Sequence, residues 1–89
     1  MTLQQEVRQA IERNMELMLH QAKAYAPFLK VAFPRVPDLS SLCYNLMVGN
    51  AIATFMSEFA MRMASPGESD FADLGSLVEQ YRQRLRVLF

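Results

Sequence analysis

Tryptophan is absent from this 89-residue chain, cysteine and histidine occur once each, glycine three times, and the positive and negative charges cancel. Each scarcity closes off a class of function. Cys43 has no partner for an intrachain disulfide, which favours a reducing compartment, and a cytoplasmic location is expected. Nine basic side chains against nine acidic ones leave no excess of positive charge to neutralise phosphates, so nucleic acid is not an expected partner. Gly49, Gly67 and Gly75 stand apart in the sequence, and isolated glycines build no phosphate-binding loop. The first residues, MTLQQEVRQA, lack the apolar core of a signal peptide.

Chemistry-bearing residues are equally sparse. Glu12, Glu16 and His20 fall on one helical face at spacings of four, but a zinc site needs three or four ligands and usually paired His or Cys. The spacing is explained as well by a weak Glu16–His20 pair on a solvated face. Cys43 and His20 are the sole Cys–His combination for nucleophilic catalysis. A thiolate there would need a base in contact; the start of a helix can lower a thiol pKa. A lone Cys in an apolar helix is more simply a small buried residue. No catalytic residue, cofactor or metal is therefore assigned, and the chain leans away from being an enzyme.

What the chain has in abundance is apolar surface. Hydrophobic residues make up 52% of it, with seven methionines. A chain of this length buries only about 60–65% of the surface it exposes when unfolded. The excess points to an oligomer with an apolar interface, most simply a two-fold dimer.

Periodicity predicts an all-α, three-helix, bundle-like domain. Helix 1 is expected over residues 2–25, with Thr2 and Gln5 as a capping box. Its apolar stripe is Leu3, Val7, Ile11, Met15, Met18, Ala22 and Tyr25. Residues 26–37 carry Pro27, Pro34 and Pro37 among apolar side chains. They are expected to form a loop that either closes the core or offers an apolar edge to a partner.

The central helix is expected over residues 38–64, capped by Asp38 or Ser40. It carries no charge from Leu39 to Ser57, so it is expected to lie between the other two helices or to be shared with a partner. Gly49, Ala53, Ser57, Ala60 and Ala64 form a small-residue groove beside a bulky ridge of Tyr44, Val48, Ile52, Phe55, Phe59 and Met63. Asn50, Thr54, Glu58 and Arg62 are expected to meet water. A turn over residues 65–70 leads to a last helix over 71–88, capped by Ser69 or Asp70. Leu74, Leu77, Val78, Tyr81, Leu85 and Leu88 form its buried stripe, and Arg82, Arg84 and Arg86 sit in its last turns.

These patterns point to a small protein-interaction module, of the adaptor, chaperone-like or regulatory kind. It would act through an apolar helix–helix interface with itself or with a larger protein. Gly49, Ala53, Phe55, Phe59, Leu85 and Phe89 are the interface candidates. The opposing reading is a small-ligand-binding or enzymatic helical dimer with Asn14, Tyr44, Asn45 and Asn50 as polar contacts between helices. A DNA-binding regulator using paired C-terminal arginines and a membrane span over the 19-residue uncharged run rank lower, the latter because Ser, Asn and Thr interrupt the run.

Overall fold

In a computed structural model, which describes residues 5–89, the chain forms three helices and no strand among the described residues. They are α1 (Gln5–Ala32), α2 (Leu39–Met61) and α3 (Glu68–Arg86). The capping box expected at Thr2 and the stripe residue Leu3 lie outside the described residues. Short connections make consecutive helices antiparallel, in a rod of 43 × 19 × 18 Å. Each helix touches both others.

The three stripes meet as their spacing requires. Val7, Ile11 and Met15 from α1 are fully buried against Met47, Ala51, Phe55 and Phe59 of α2 and Leu77, Val78 and Leu85 of α3. Leu88 and Phe89 pack on this core from the end of the chain.

Helix 1 does not stop near residue 25. It runs through Pro27 to Ala32, and the Phe33 amide still donates to the Leu29 carbonyl at 2.9 Å. Proline removes one ladder hydrogen bond and crowds the carbonyl four residues back, here that of Lys23. The side chain of Pro27 is exposed while its neighbour Ala26 is buried. Beyond Pro27 the helix buries little: Leu29 is half-buried, and Phe28, Lys30, Val31 and Ala32 are exposed. Tyr25 points outward rather than joining the stripe, and it stands beside Phe28 with ring centroids 6.3 Å apart. The linker shrinks to residues 33–38. Because the penalty for proline in a helix interior is about 3 kcal/mol relative to alanine, Pro27→Ala should raise stability by about 2 kcal/mol; chemical denaturation of the two proteins measures it.

At the start of α2, Asp38 is the cap. Its Oδ1 accepts from the Ser41 amide at 3.1 Å and from the Ser40 hydroxyl at 2.6 Å, and Oδ2 accepts from the Ser41 hydroxyl at 2.8 Å. These donors, Ser40 first, hold its carboxyl down at about 2. A folded-state pKa below the unfolded value stabilises the fold above the unfolded pKa, and the contribution fades as pH falls through the folded one. Stability should therefore drop between about pH 4 and pH 2. Asp38→Ala should lower the thermal midpoint at neutral pH and flatten that part of the pH profile, as read by thermal melts.

The other end of α2 closes by a backbone motif. The Met63 amide donates to the Ala60 carbonyl at 3.0 Å, and the Ala64 amide to the Phe59 carbonyl at 3.0 Å. This is the Schellman pattern, whose turning residue is left-handed and usually glycine. Here it is Met63, at φ 54° and 95% exposed.

Helix α3 begins at Glu68, three residues earlier than expected, and neither Ser69 nor Asp70 is its N-cap. Gly67 is its cap, its carbonyl accepting from the Asp70 and Phe71 amides. Asp70 sits at the third helical position and reaches back, its Oδ2 accepting from the Gly67 amide at 2.8 Å. That is the reciprocal half of a capping box. Asp70 is fully buried and its Oδ1 has no partner.

Candidate interaction surface

With the core placed, the exposed side of α2 stands out. Its inward residues are Tyr44, Met47, Ala51, Phe55 and Phe59. The opposite side carries Leu46, Gly49, Ala53, Met56 and Ala60, all exposed, with Leu42 half-buried at its start. Their spacings alternate between four and three residues from Leu42 to Ala60. That is the 3.5-residue repeat with which one helix presents a seam to another. Leu46 is 62% exposed, Met56 49% and the flanking Ile52 47%. Only 22% of the helix's most apolar stretch is buried inside the chain.

The small-residue groove therefore faces outward. Nothing lies within 4 Å of a Cβ built on Gly49, so no helix of this chain approaches there. The polar strip turns partly inward instead, except for Asn50, which is exposed as expected. Thr54, Glu58 and Arg62 are half-buried, because this edge of α2 packs beside α1. The Asn14 amide donates to the Thr54 hydroxyl at 2.9 Å. Arg62 donates to Glu58 at 2.9 Å and lies 4.0 Å from Glu6.

Two apolar grooves flank the seam. One, of about 280 Å³, lies between α1 and α2 and is lined by Met18, Ala22, Tyr25, Cys43 and Leu46. The other, of about 320 Å³, lies between α2 and α3, with Val48, Ile52, Phe71 and Leu74. Leu46 and Ile52 belong both to the helix surface and to a groove, so the apolar area continues sideways from the seam.

Of the interface candidates, Gly49 and Ala53 are on this surface. Phe55, Phe59 and Leu85 are not: they are 0–3% exposed and form the core. Phe55 contacts two rings, Phe59 at 5.0 Å and Phe71 at 4.9 Å. Phe89 is half-buried on the core. The periodicity within α2 missed Leu46 and Met56 as surface residues. Their exposure depends on where α1 and α3 dock, which α2 alone does not reveal.

The polar ligand candidates go to separate partners. Asn14 bonds Thr54, as above. The Tyr44 hydroxyl donates to Glu79 at 3.1 Å, and the Arg82 guanidinium lies 4.2 Å from the centre of its ring. Burial, then the Glu79 contact, pushes the Tyr44 hydroxyl pKa up. Asn45 and Asn50 are exposed. His20 lies in a groove between α1 and α3 with Glu16, Lys23 and Arg84, whereas Cys43 lines the α1–α2 groove, where burial pushes its thiol pKa up. Glu12 pairs with Arg8 at 2.8 Å, and Glu16 accepts from Arg84, one bond at 2.9 Å. Arg84 holds the Glu16 carboxyl below the usual range, with Tyr81 contributing. Arg82 is bound to Glu79 at 2.7 Å. No group of three or more His, Cys, Asp or Glu that could hold a metal occurs among the described residues.

No family model matches the chain, and neither the curated proteins nor the solved structures contain a significant match. The protein is thus described by its architecture, an all-α three-helix bundle, and by this surface.

Proposed function

We propose that this chain is a small protein-interaction module that acts by packing the outward seam of α2 against a partner helix, in a homodimer or on a larger protein. The supporting observation is the apolar repeat Leu46, Gly49, Ala53, Met56 and Ala60, exposed along the helix while the core is complete without it. Contiguous exposed apolar surface on a small protein marks an interaction site. The lone free thiol suits a cytoplasmic setting.

The ligand-binding reading has less support, because Asn14 and Tyr44 are spent on Thr54 and Glu79. The DNA-binding reading is weakened in the same way, with Arg82 and Arg84 held by Glu79 and Glu16.

Light scattering across about 1 to 100 µM, at or above the µM-to-pM dissociation constants of standard-sized interfaces, tests the self-association form. The expected mass rises above the 10.2 kDa of one chain. Ala53→Glu, which places a charge in the middle of the seam, should hold the mass at one chain while leaving helix content unchanged. A chain that is monomeric throughout and that captures no partner through this face overturns the proposal.

A further inference from the structure

We infer that the partner on this face is a second copy of the chain, packed antiparallel about a two-fold axis near residue 51 of α2. The inference rests on the interaction reading above and adds the occupant and its direction.

Charge is the first argument. The chain is neutral overall, but the rod is not neutral along its length. The half holding the linker and the ends of α1 and α3 carries Lys23, Lys30, Arg35, Arg82, Arg84 and Arg86 against Asp38 and Glu79. The other half carries Glu6, Glu12, Glu58, Glu68, Asp70 and Asp73 against Arg8, Arg13 and Arg62, while Glu16 is neutralised by its pair with Arg84 of the first half. One half is therefore net basic and the other net acidic. The seam between Leu39 and Ser57 carries no charge of its own, so these fields act from α1 and α3 on either side of it. Packed parallel, two copies would set like halves together. Packed antiparallel, each basic half faces an acidic half, and the two α2 dipoles oppose as well. A two-fold axis generates both favourable contacts at once.

Shape is the second. With the axis near residue 51, Gly49 of one copy lies against Ala53 of the other, and Ala53 against Gly49. The smallest side chains then stand at the crossing point, where backbones come closest. Leu46 and Met56 meet on either side, where the helices diverge and there is space to fill. The overlap uses nearly all of Leu39–Met61.

Area is the third. A helix of this length spans about 35 Å at 1.5 Å per residue. Across the 19 Å width of the rod, contact along α2 and its two grooves covers roughly 700 Å² per copy, close to the ~800 Å² of a standard stable interface.

The test uses cysteine cross-linking in full-length protein carrying Cys43→Ser. Leu46→Cys and Met56→Cys chains, made with tags of different size, are oxidised separately and as a mixture, and their masses are measured beforehand by light scattering. Antiparallel packing yields the mixed disulfide in large excess over either self-linked product, and its yield falls several-fold in high salt as the charge pairing is screened. Self-linked Leu46→Cys and Met56→Cys products overturn the antiparallel arrangement but leave the interaction reading standing. A dimer that gives no cross-link at either position overturns both, since its interface lies elsewhere. A chain that is monomeric and floats with phosphatidylcholine vesicles also overturns both, because a lipid surface is then what covers α2, which is long and apolar enough by length and composition to enter one.

Discussion

Phe55→Ala is expected to destabilise the protein by about 3–5 kcal/mol, the range for emptying a well-packed phenylalanine site. Phe55 is fully buried and its ring touches those of Phe59 and Phe71 at about 5 Å. It sits where α1, α2 and α3 all contribute to one cluster. Alanine there removes the transfer energy of the ring, leaves a cavity between helices and breaks two aromatic contacts. Small domains have only about 5–15 kcal/mol of stability in total. Equilibrium denaturation should therefore show a much earlier midpoint, and much of the variant should be unfolded at physiological temperature. A loss below about 1 kcal/mol would mean that the three helices do not pack as described.

Gly49→Leu is expected to give two effects of opposite sign. In the isolated chain Gly49 is exposed in mid-helix, with nothing within 4 Å of a Cβ at that position. Leucine is a better helix former than glycine by about 0.8 kcal/mol, so the monomer should become more stable, not less. In the assembly the same position lies at the closest approach of two helices. An added side chain on each copy costs about 1–3 kcal/mol of overpacking apiece, or roughly a hundredfold in dissociation constant. A purely structural role for Gly49 yields neither combination. Monomer stability has to be read at dilution, because dimerisation itself raises the apparent stability of the wild-type protein.

The fold class was readable because α1 and α3 each pair an apolar stripe with a charged face. Val7, Ile11 and Met15, and likewise Leu77, Val78 and Leu85, have one direction in which to bury. Helix α2 gave no such phase. From Leu39 to Ser57 it has no charge, and large side chains occur on several sides. Periodicity then identifies a helix without telling which side is core. For that reason Phe55 and Phe59 read as interface residues, and Thr54, Glu58 and Arg62 as solvent-facing. The docking of the amphipathic helices decides the matter, and it turns Leu46 and Met56 outward.

Pro27 shows a different limit. Its local rule is a penalty of a few kcal/mol and not a prohibition, and the helix continues through it to Ala32. Met63 is a third case. Nothing in its identity signals a left-handed turn, because the backbone bonds to Phe59 and Ala60 and not the side chain hold it there. Asp38, by contrast, was visible from sequence, since capping depends on neighbours in the chain alone.

Sedimentation equilibrium of the wild-type protein and Gly49→Leu, at matched concentrations from about 1 to 100 µM, tests the central claim that the outward seam of α2 is where this protein associates. The expected result is self-association of the wild type that Gly49→Leu weakens by roughly a hundredfold, with a variant monomer that melts at a higher temperature than the wild-type monomer. Self-association that is unchanged in Gly49→Leu would contradict the claim, and so would a variant whose monomer no longer folds.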